Sequence, residues 1–295
     1  MVMVSDRSGV DPQVHRRRLG ARLKRIREQT PLTQQQVTTA LEWSLSKLVR
    51  IEMGAVGISA TDLRALLRQY GVTDEQQLRP LLDDAREGRR TTWWHRFGDL
   101  PPQFISFLAY ESSATLIRQY QGLVIPGLLQ TEDYAWAVLG AIIEPERVST
   151  LVELRRKRQE LLERPDEPRL FFILDEGVIR RRVGGVEVML AQLQHLKELG
   201  RRPNITIRIL PFEVGQHAGL KGSFVVLEVG DDYPVVYLEN SAGDILSRDD
   251  PNEASKYVSS FLQLEAVATA ENSLDDFLDG VIAEMKAGAA SVGQR

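Results

Sequence analysis

The sequence has no cysteine among its 295 residues and only four histidines. Without thiols, a disulfide framework, a cysteine-based zinc site and a cysteine nucleophile are excluded. The histidines show no metal-ligand spacing such as His-Glu-x-x-His. We therefore predict that the protein holds no metal.

Long apolar runs are also missing. The longest runs, such as residues 170–174, are far too short to span a bilayer, which takes about 20 residues. The opening residues lack the apolar segment of a secretion signal. These two absences predict a cytoplasmic protein that does not contact a membrane.

The motifs of several enzyme classes are absent as well. The chain has no Gly-x-Ser-x-Gly motif, which would present a nucleophilic serine. It has neither of the glycine-rich motifs, Gly-x-x-x-x-Gly-Lys-[Ser/Thr] and Gly-x-Gly-x-x-Gly, that bind nucleotide phosphates. The sequence therefore favours a protein that is not an enzyme and uses no cofactor.

Charge is distributed unevenly along a chain whose net charge is -4. Residues 1–97 hold 17 basic and 11 acidic residues, whereas residues 98–295 hold 20 and 30. The densest basic run is Arg16, Arg17, Arg18, Arg22, Lys24, Arg25 and Arg27. A basic end on an acidic body favours a polyanion as the partner of the N-terminal part.

The N-terminal part is predicted to be helical. Residues 1–14 are expected to form a flexible arm, and from Arg17 onwards apolar residues recur at helical spacing. A later helix is predicted to begin near Ser59. The helix after it is predicted to contain Pro80, which should kink it. The prediction is an all-α domain over residues 15–90.

Two short helices, 33–41 and 44–52, have few apolar residues and a tight turn between them. Thr33 with Gln36 three residues later predicts a capping box, and Ser44 predicts the start of the second helix. This pattern is typical of a helix-turn-helix, whose second helix enters the major groove of DNA. An ordinary bundle of short capped helices is the alternative interpretation.

Basic and polar side chains on the outward face of the second helix suit contact with DNA, because Arg and Lys bind phosphate or guanine. The residues expected to contact phosphates are Gln34, Ser44 and Lys47. The residues expected to contact base edges are Leu45, Ser46 and Arg50. The predicted DNA-binding surface also includes Arg17, Arg18 and Gln35. Leu45 is expected to touch a thymine methyl group.

The remainder is predicted to be an α/β regulatory domain over residues 101–286, after a joint at 91–100 and before a flexible tail at 287–295. Strands 170–175 and 205–210 flank a helix at 186–199. A strand, a helix and a strand within about 40 residues predict a βαβ unit with parallel strands.

A hairpin is predicted after this unit. Residues 223–228 and 235–239 flank Gly230-Asp231-Asp232, which would form the turn between two strands. Two long helices, 251–270 and 273–286, are expected to follow. The predicted fold class is therefore multi-domain, with an all-α helix-turn-helix domain followed by a helix-rich α/β domain.

One loop of the second domain, residues 215–224, looks most like a ligand site. It carries three glycines and His217 between two strands, and ligands of open α/β sheets bind at strand ends. A flexible crossover loop explains the same residues. The candidate ligand or partner residues are Gln130, Gln216, His217, Lys221, Tyr237 and Glu239.

Residues 17–71 resemble the XRE-type, lambda-repressor-like helix-turn-helix. The matching stretches are LGARLKRIRE, LTQQQVTTAL, SLSKLVRIEMG and LRALLRQYGV. The resemblance implies a salt bridge between Arg27 and Glu52, at the end of the recognition helix. The chain departs from the family pattern at Thr38, where alanine is usual, and at Glu42, where glycine is usual, and Glu42 is expected to change the turn.

The rest of the chain resembles the C-terminal domain of Scr-type, antitoxin-like regulators of actinomycetes. The stretches are TTWWHRF, VIPGLLQTEDYA, LDEGVIRRRVGG, ILPFEVGQHAGLKGSFVVLE and VVYLEN. The resemblance implies a sequence-specific transcriptional regulator, often encoded beside a small partner protein.

We therefore predict a homodimer that binds an inverted-repeat operator in double-stranded DNA, with a second domain that binds a small co-encoded protein or an unknown small-molecule effector. The alternative is an antitoxin-like protein whose main role is binding that partner.

Overall fold

The computed structural model of the chain describes residues 10–164, 168–230, 234–240, 243–247 and 250–292. The chain divides into two compact units, one ending at Gly98 and one beginning at Asp99. The first unit is helical and the second contains a six-stranded sheet with helices. The predicted multi-domain fold class is thus confirmed.

The helices of the first unit share one apolar core. They are α1 (Pro12–Glu28), α2 (Gln34–Ala40), α3 (Leu45–Glu52), α4 (Ala60–Gln69) and α5 (Glu75–Glu87). Leu23, Val37, Leu48 and Leu63 are fully buried in this core. Helix α5 continues through Pro80 without interruption.

The first helix begins earlier than predicted. The carboxylate of Asp11 accepts a hydrogen bond from the backbone N–H of Gln13, and Pro12 is the first helical residue. Val14 is buried. The prediction of a flexible arm is therefore wrong for residues 11–14, because it missed that Asp-Pro favours a helix start. Positions 1–9 of that arm lie outside the described residues.

The sheet of the second unit combines parallel and antiparallel strands. Its strands are β1 (Leu116–Gln121), β2 (Arg169–Asp175), β3 (Ile205–Leu210), β4 (Phe224–Glu228), β5 (Val235–Leu238) and β6 (Ile245–Ser247), in the order β3-β2-β1-β4-β5-β6. Strands β2 and β3 are parallel, and β4 and β5 are antiparallel, as predicted. The predicted turn residues Asp231 and Asp232 lie outside the described residues.

Strand β1, between β2 and β4, has no counterpart in the sequence prediction. It runs parallel to β2 and antiparallel to β4. Its sequence, LIRQYQ, is unusually polar for an inner strand, since Gln119 and Gln121 are buried and Arg118 pairs with Glu228 of β4. A polar strand without clear alternation of apolar residues gives little signal.

The helices of the second unit pack on both faces of the sheet. They are α6 (Pro102–Ser113), α7 (Glu132–Ile142), α8 (Pro145–Gln159), α9 (Glu176–Arg180), α10 (Val186–Gly200), α11 (Pro251–Val267) and α12 (Leu274–Val292). Phe261 of α11 lies in a core with Tyr120 and Phe224. On the opposite face Phe107 of α6 stacks on Tyr237, with ring centroids 4.1 Å apart.

The last helix is longer than predicted. Helix α12 continues to Val292, so residues 287–292 do not belong to a flexible tail. Alanine at 287, 289 and 290 favours the helical continuation. The final three residues of the predicted tail lie outside the described residues.

Candidate nucleic-acid interface

Helices α2 and α3 begin at the residues that the sequence predicted. Thr33 accepts a hydrogen bond from the N–H of Gln36, whose side chain accepts from the N–H of Thr33, which completes a capping box. Ser44 caps α3 by accepting from the N–H of Lys47. The polar side chains at these positions thus fix where the two helices start.

The turn between α2 and α3 retains the conformation that glycine would adopt. Glu42 has φ of 54°, in the left-handed region. The N–H of Trp43 donates to the carbonyl of Thr38, and that of Glu42 donates to the carbonyl of Thr39, at 2.9 and 3.4 Å. This is a Schellman motif, so the expectation that Glu42 changes the turn is wrong.

Thr38, the other departure from the family pattern, is buried in α2. Its hydroxyl oxygen lies 3.0 Å from the carbonyl oxygens of both Gln34 and Gln35, to which the hydroxyl donates its hydrogen bond. A buried hydroxyl that is hydrogen-bonded to its own helix avoids most of the desolvation cost. Threonine is therefore accommodated at this helix contact.

Helix α3 presents one exposed face. Leu45 is 44% exposed, Ser46 and Arg50 are exposed, whereas Leu48 and Ile51 are buried. The three residues predicted to contact base edges therefore lie on the surface. An exposed leucine can pack on a thymine methyl group, and an exposed arginine can donate two parallel hydrogen bonds to a guanine in the major groove.

The end of α3 is anchored by a buried ion pair. Arg27 of α1 donates from Nε and Nη2 to the two carboxylate oxygens of Glu52, at 2.6 and 3.1 Å. Both side chains are largely buried, and the hydrogen bond to Glu52 raises the pKa of Arg27. The amide of Gln34 also donates to Glu52, at 2.7 Å. These contacts tie α1, the start of α2 and the end of α3 together.

This network changes the role available to Gln34. Its side chain is committed to Glu52, so a phosphate would be bound by its backbone N–H at the first position of α2, where no intrahelical acceptor exists. Gln35 is exposed and Arg18 is partly exposed.

Lys47 is held by neighbours on the protein. Its ammonium lies 3.8 Å from the ring centroid of Trp43 and 3.1 Å from the carboxylate of Asp62 on α4. Both members of the ion pair are more than one third exposed, so the pair contributes little to stability. A phosphate would have to compete with Asp62 for this ammonium.

The basic run of α1 is partly neutralised inside the first unit. Arg16 donates to the carbonyl of Gly88 at 2.7 Å, and burial lowers the pKa of Arg16. Arg22 and His15 both contact the carboxylate of Asp84 on α5. Much of this charge thus holds α1 against α5.

The candidate residues of the second unit separate onto the two faces of the sheet. His217 lies edge-on to Tyr120, beside the core that α11 covers, and its Nε2 is 4.0 Å from the carboxylate of Asp175. Tyr237 faces α6 and donates to Asp244 at 2.6 Å. Gln216, Lys221 and Glu239 are exposed.

The loop with His217 does lie at the carboxyl ends of the parallel strands. Asp175 is the last residue of β2, and Tyr120 is the next-to-last residue of β1. A Cβ at Gly219 would lie 2.4 Å from the ring of Tyr120, so this glycine allows the loop to approach the sheet closely. The N–H of Gly219 also donates to Nδ1 of His217.

A buried polar cluster surrounds Gln130 on the other face. Gln130 accepts a hydrogen bond from Arg155 and donates to the carbonyl of Ile125. Burial lowers the pKa of Arg155 to about 10, and the charge of Arg158 adds to this effect. Arg158 itself donates twice to Glu111, at 2.7 Å each.

Glu111 compensates for the burial of Arg158. Burial would lower the pKa of Arg158, but the carboxylate of Glu111 outweighs that effect and the pKa is raised. The sequence analysis missed Glu111, Arg155 and Arg158. Glu111 lies on α6, and Arg155 and Arg158 lie on α8. Because Glu111 and Arg158 are 47 residues apart in the sequence, no short motif relates them.

The described part of the chain has neither a metal-binding cluster nor a membrane-spanning helix. Residues 10–164, 168–230, 234–240, 243–247 and 250–292 contain no group of three or more histidine or acidic side chains placed to hold a metal ion. Every helix in the same ranges is too short or too polar to cross a membrane.

Comparison with known families divides the chain as its structure does. The model of a family described as Domain of unknown function (DUF5753) matches residues 104–279, which is more than half of the chain. The model of a family described as Helix-turn-helix domain matches residues 18–81. Searches among curated proteins and among solved structures found no match.

Proposed function

The chain belongs to the family described as Domain of unknown function (DUF5753), and we propose that it is a sequence-specific transcriptional regulator of the XRE type. The observation that carries the proposal is the exposed face of α3, which presents Leu45, Ser46 and Arg50 from a capped and anchored helix-turn-helix. The helix-turn-helix match over residues 18–81 supports DNA binding by this unit.

The proposed contacts with DNA use the exposed residues of the helix-turn-helix. Arg50 donates to a guanine and Leu45 packs on a thymine methyl group, while Ser46 bonds a base edge. The backbone N–H of Gln34, the hydroxyl of Ser44 and Arg17 contact phosphates, which fix the register of α3 on the duplex.

The proposed regulator acts as a homodimer on an inverted repeat. One short recognition helix reads only a few base pairs, and two-fold dimers of helix-turn-helix proteins double the readout with half-sites about one helical turn apart.

The second unit supplies the regulatory input in this proposal. Leu123, Phe212 and Leu220 are all more than half exposed, on loops that follow β1 and β3. Exposed apolar side chains on these loops, with Leu220 next to Lys221 in the chain, favour a small protein partner over a polar effector. In the antitoxin-like alternative, these loops also bind a small protein partner. Binding that partner is then the main function, and DNA binding is autoregulatory.

Selection of bound fragments from the source genome tests the proposal. The purified full chain is expected to enrich an inverted repeat, and titration of that fragment is expected to show affinity that falls steeply with salt. Equal, weak binding to all fragments would contradict sequence-specific regulation. The antitoxin-like alternative predicts a stoichiometric complex with a co-encoded protein, and this complex would form without DNA. That alternative would be favoured if the host depended on this complex more than on DNA binding.

A further inference from the structure

A groove between α4 and α5 is unusually rich in arginine. Its volume is about 550 Å³. It is lined by Ala60, Arg64, Leu82, Ala85, Arg86, Arg89 and Arg90. Four of the seven lining residues are arginines, and the other three are apolar. Four guanidinium groups around one groove form a local concentration of positive charge that favours an anionic partner.

Three of these arginines have acidic neighbours on the protein surface. Arg64 lies 3.8 Å from Glu75, Arg86 lies 3.6 Å from Asp83, and Arg90 lies 3.0 Å from Glu87. All six side chains are more than one third exposed, and exposed pairs of this kind contribute about 0–1 kcal/mol. A guanidinium has five N–H donors, so Arg64 and Arg86 keep donors for an anion beside these single contacts.

Arg89 is the least engaged of the four. Within the described residues, its side chain has no ion-pair or hydrogen-bond partner. It packs against the turn that follows α3, since a Cβ at Gly57 would lie 3.2 Å from Cγ of Arg89. The arginine groove therefore begins beside the turn that follows the proposed recognition helix.

Arg17 of α1 borders the same turn at a residue closer to α3. A Cβ at Gly54, the residue after Met53, would lie 2.6–2.8 Å from atoms of Arg17 on α1. Gly54 has φ of 66°, which lets the chain turn sharply there. The exit of α3 is thus flanked by Arg17 of α1 and by Arg89, just after α5.

The location of the groove decides which anion it can meet. When a helix lies in the major groove, its ends and adjoining turns approach the sugar-phosphate backbones that border that groove. We infer that the arginine groove binds the DNA phosphate backbone next to the base pairs contacted by α3. The inference rests on the proposed function and adds a second, sequence-independent contact region built by α4, α5 and the residues that follow α5.

The test compares two double variants of the full chain. Arg64→Ala/Arg89→Ala removes two groove arginines from different elements. Arg68→Ala/Arg79→Ala is the matched control, because Arg68 and Arg79 are exposed on α4 and α5 but do not line the groove. Fluorescence anisotropy measures the affinity for the selected operator and for a scrambled duplex at several salt concentrations.

The groove variant is expected to reduce the slope of log affinity against log salt by roughly 2, about 0.9 for each lost phosphate contact. Its affinity should fall by the same factor for both duplexes, so that discrimination is unchanged. The control variant should keep the wild-type slope. Thermal unfolding of both variants shows whether they remain folded, and Gln in place of Ala at 64 and 89 should give the same slope.

Two outcomes would overturn the inference. One is a groove variant with the wild-type slope, and the other is an equal loss of slope in the control variant, which would indicate an effect of net charge alone. A wild-type chain that does not discriminate the operator from the scrambled duplex would contradict the proposed function instead. The slopes of the two variants on the scrambled duplex would still decide the groove contact.

Discussion

The guanidinium of Arg27 donates two hydrogen bonds to the carboxylate of Glu52, at 2.6 and 3.1 Å, and so joins α1 to the end of α3. The side chain of Glu52 is 3% exposed and that of Arg27 is 12% exposed. The exposed face of α3 is therefore held in a fixed orientation by a contact on its buried side. The same carboxylate binds Gln34 at the start of α2.

Replacement of Glu52 by Gln should destabilise the first unit by about 3 kcal/mol, because it leaves the largely buried Arg27 without its counter-charge. Chemical denaturation of the full chain, with hydrogen exchange to locate the change in α1–α5, measures this loss. Replacing both residues, as Arg27→Met/Glu52→Leu, should cost less than the two single changes added together. Unaltered exchange in α1 and α3 of Glu52→Gln would refute the anchoring role.

Replacement of Glu42 by Gly should stabilise the protein by about 1 kcal/mol, because glycine adopts positive φ without the steric cost that glutamate bears. Glu42→Ala is the matched control, since it removes the same charge and keeps a Cβ. The midpoint of denaturation should rise for Gly and not for Ala. An equal rise in both variants would assign the effect to charge instead of backbone conformation.

Replacement of Asp62 by Asn should strengthen DNA binding, because it releases the ammonium of Lys47 and removes a carboxylate from the edge of α3. The salt slope of binding should steepen by roughly 1, as expected for one more phosphate contact. Asp133→Asn, an exposed change on α7, controls for net charge. Equal slopes for Asp62→Asn and wild type would show that Lys47 does not reach a phosphate.

Stability should depend on pH through Asp11. Burial raises the pKa of this carboxyl from 3.8 to about 7, so the folded chain binds its proton more tightly than the unfolded chain. Stability should therefore fall as pH rises from about 4 to about 7, and this contribution should stay constant above that.

The variant Asp11→Asn tests this, because asparagine also caps helices and does not titrate. It should match the wild type near pH 4 and be more stable at pH 8, as measured by denaturation midpoints. Parallel pH profiles for the two chains would mean that Asp11 titrates normally.

The parts of the fold that the sequence predicted are those with local signals. Thr33, Gln36 and Ser44 cap α2 and α3 within three residues of themselves, and the apolar strands β2 and β3 flank a periodic helix. Strand β1 was missed because its buried side chains include Gln119 and Gln121. Its place between β2 and β4 depends on pairing with residues far along the chain.

The candidate sites follow the same division. The exposure of Leu45 and Arg50 follows from helical periodicity, whereas the engagement of Lys47 depends on Asp62, fifteen residues away on another helix. The cluster of Glu111, Arg155 and Arg158 has no sequence signal, because its ion pair joins helices that become neighbours only in the folded unit.

The most direct test of DNA reading by α3 is a side-by-side selection from random duplexes with the wild-type chain and with Arg50→Ala. The wild type is expected to enrich one inverted repeat. Arg50→Ala is expected to enrich the same repeat with the preference lost at one base pair of each half-site, at a cost of about 1–3 kcal/mol. Identical motifs from the two chains, or a uniform loss at all positions, would contradict base readout by Arg50.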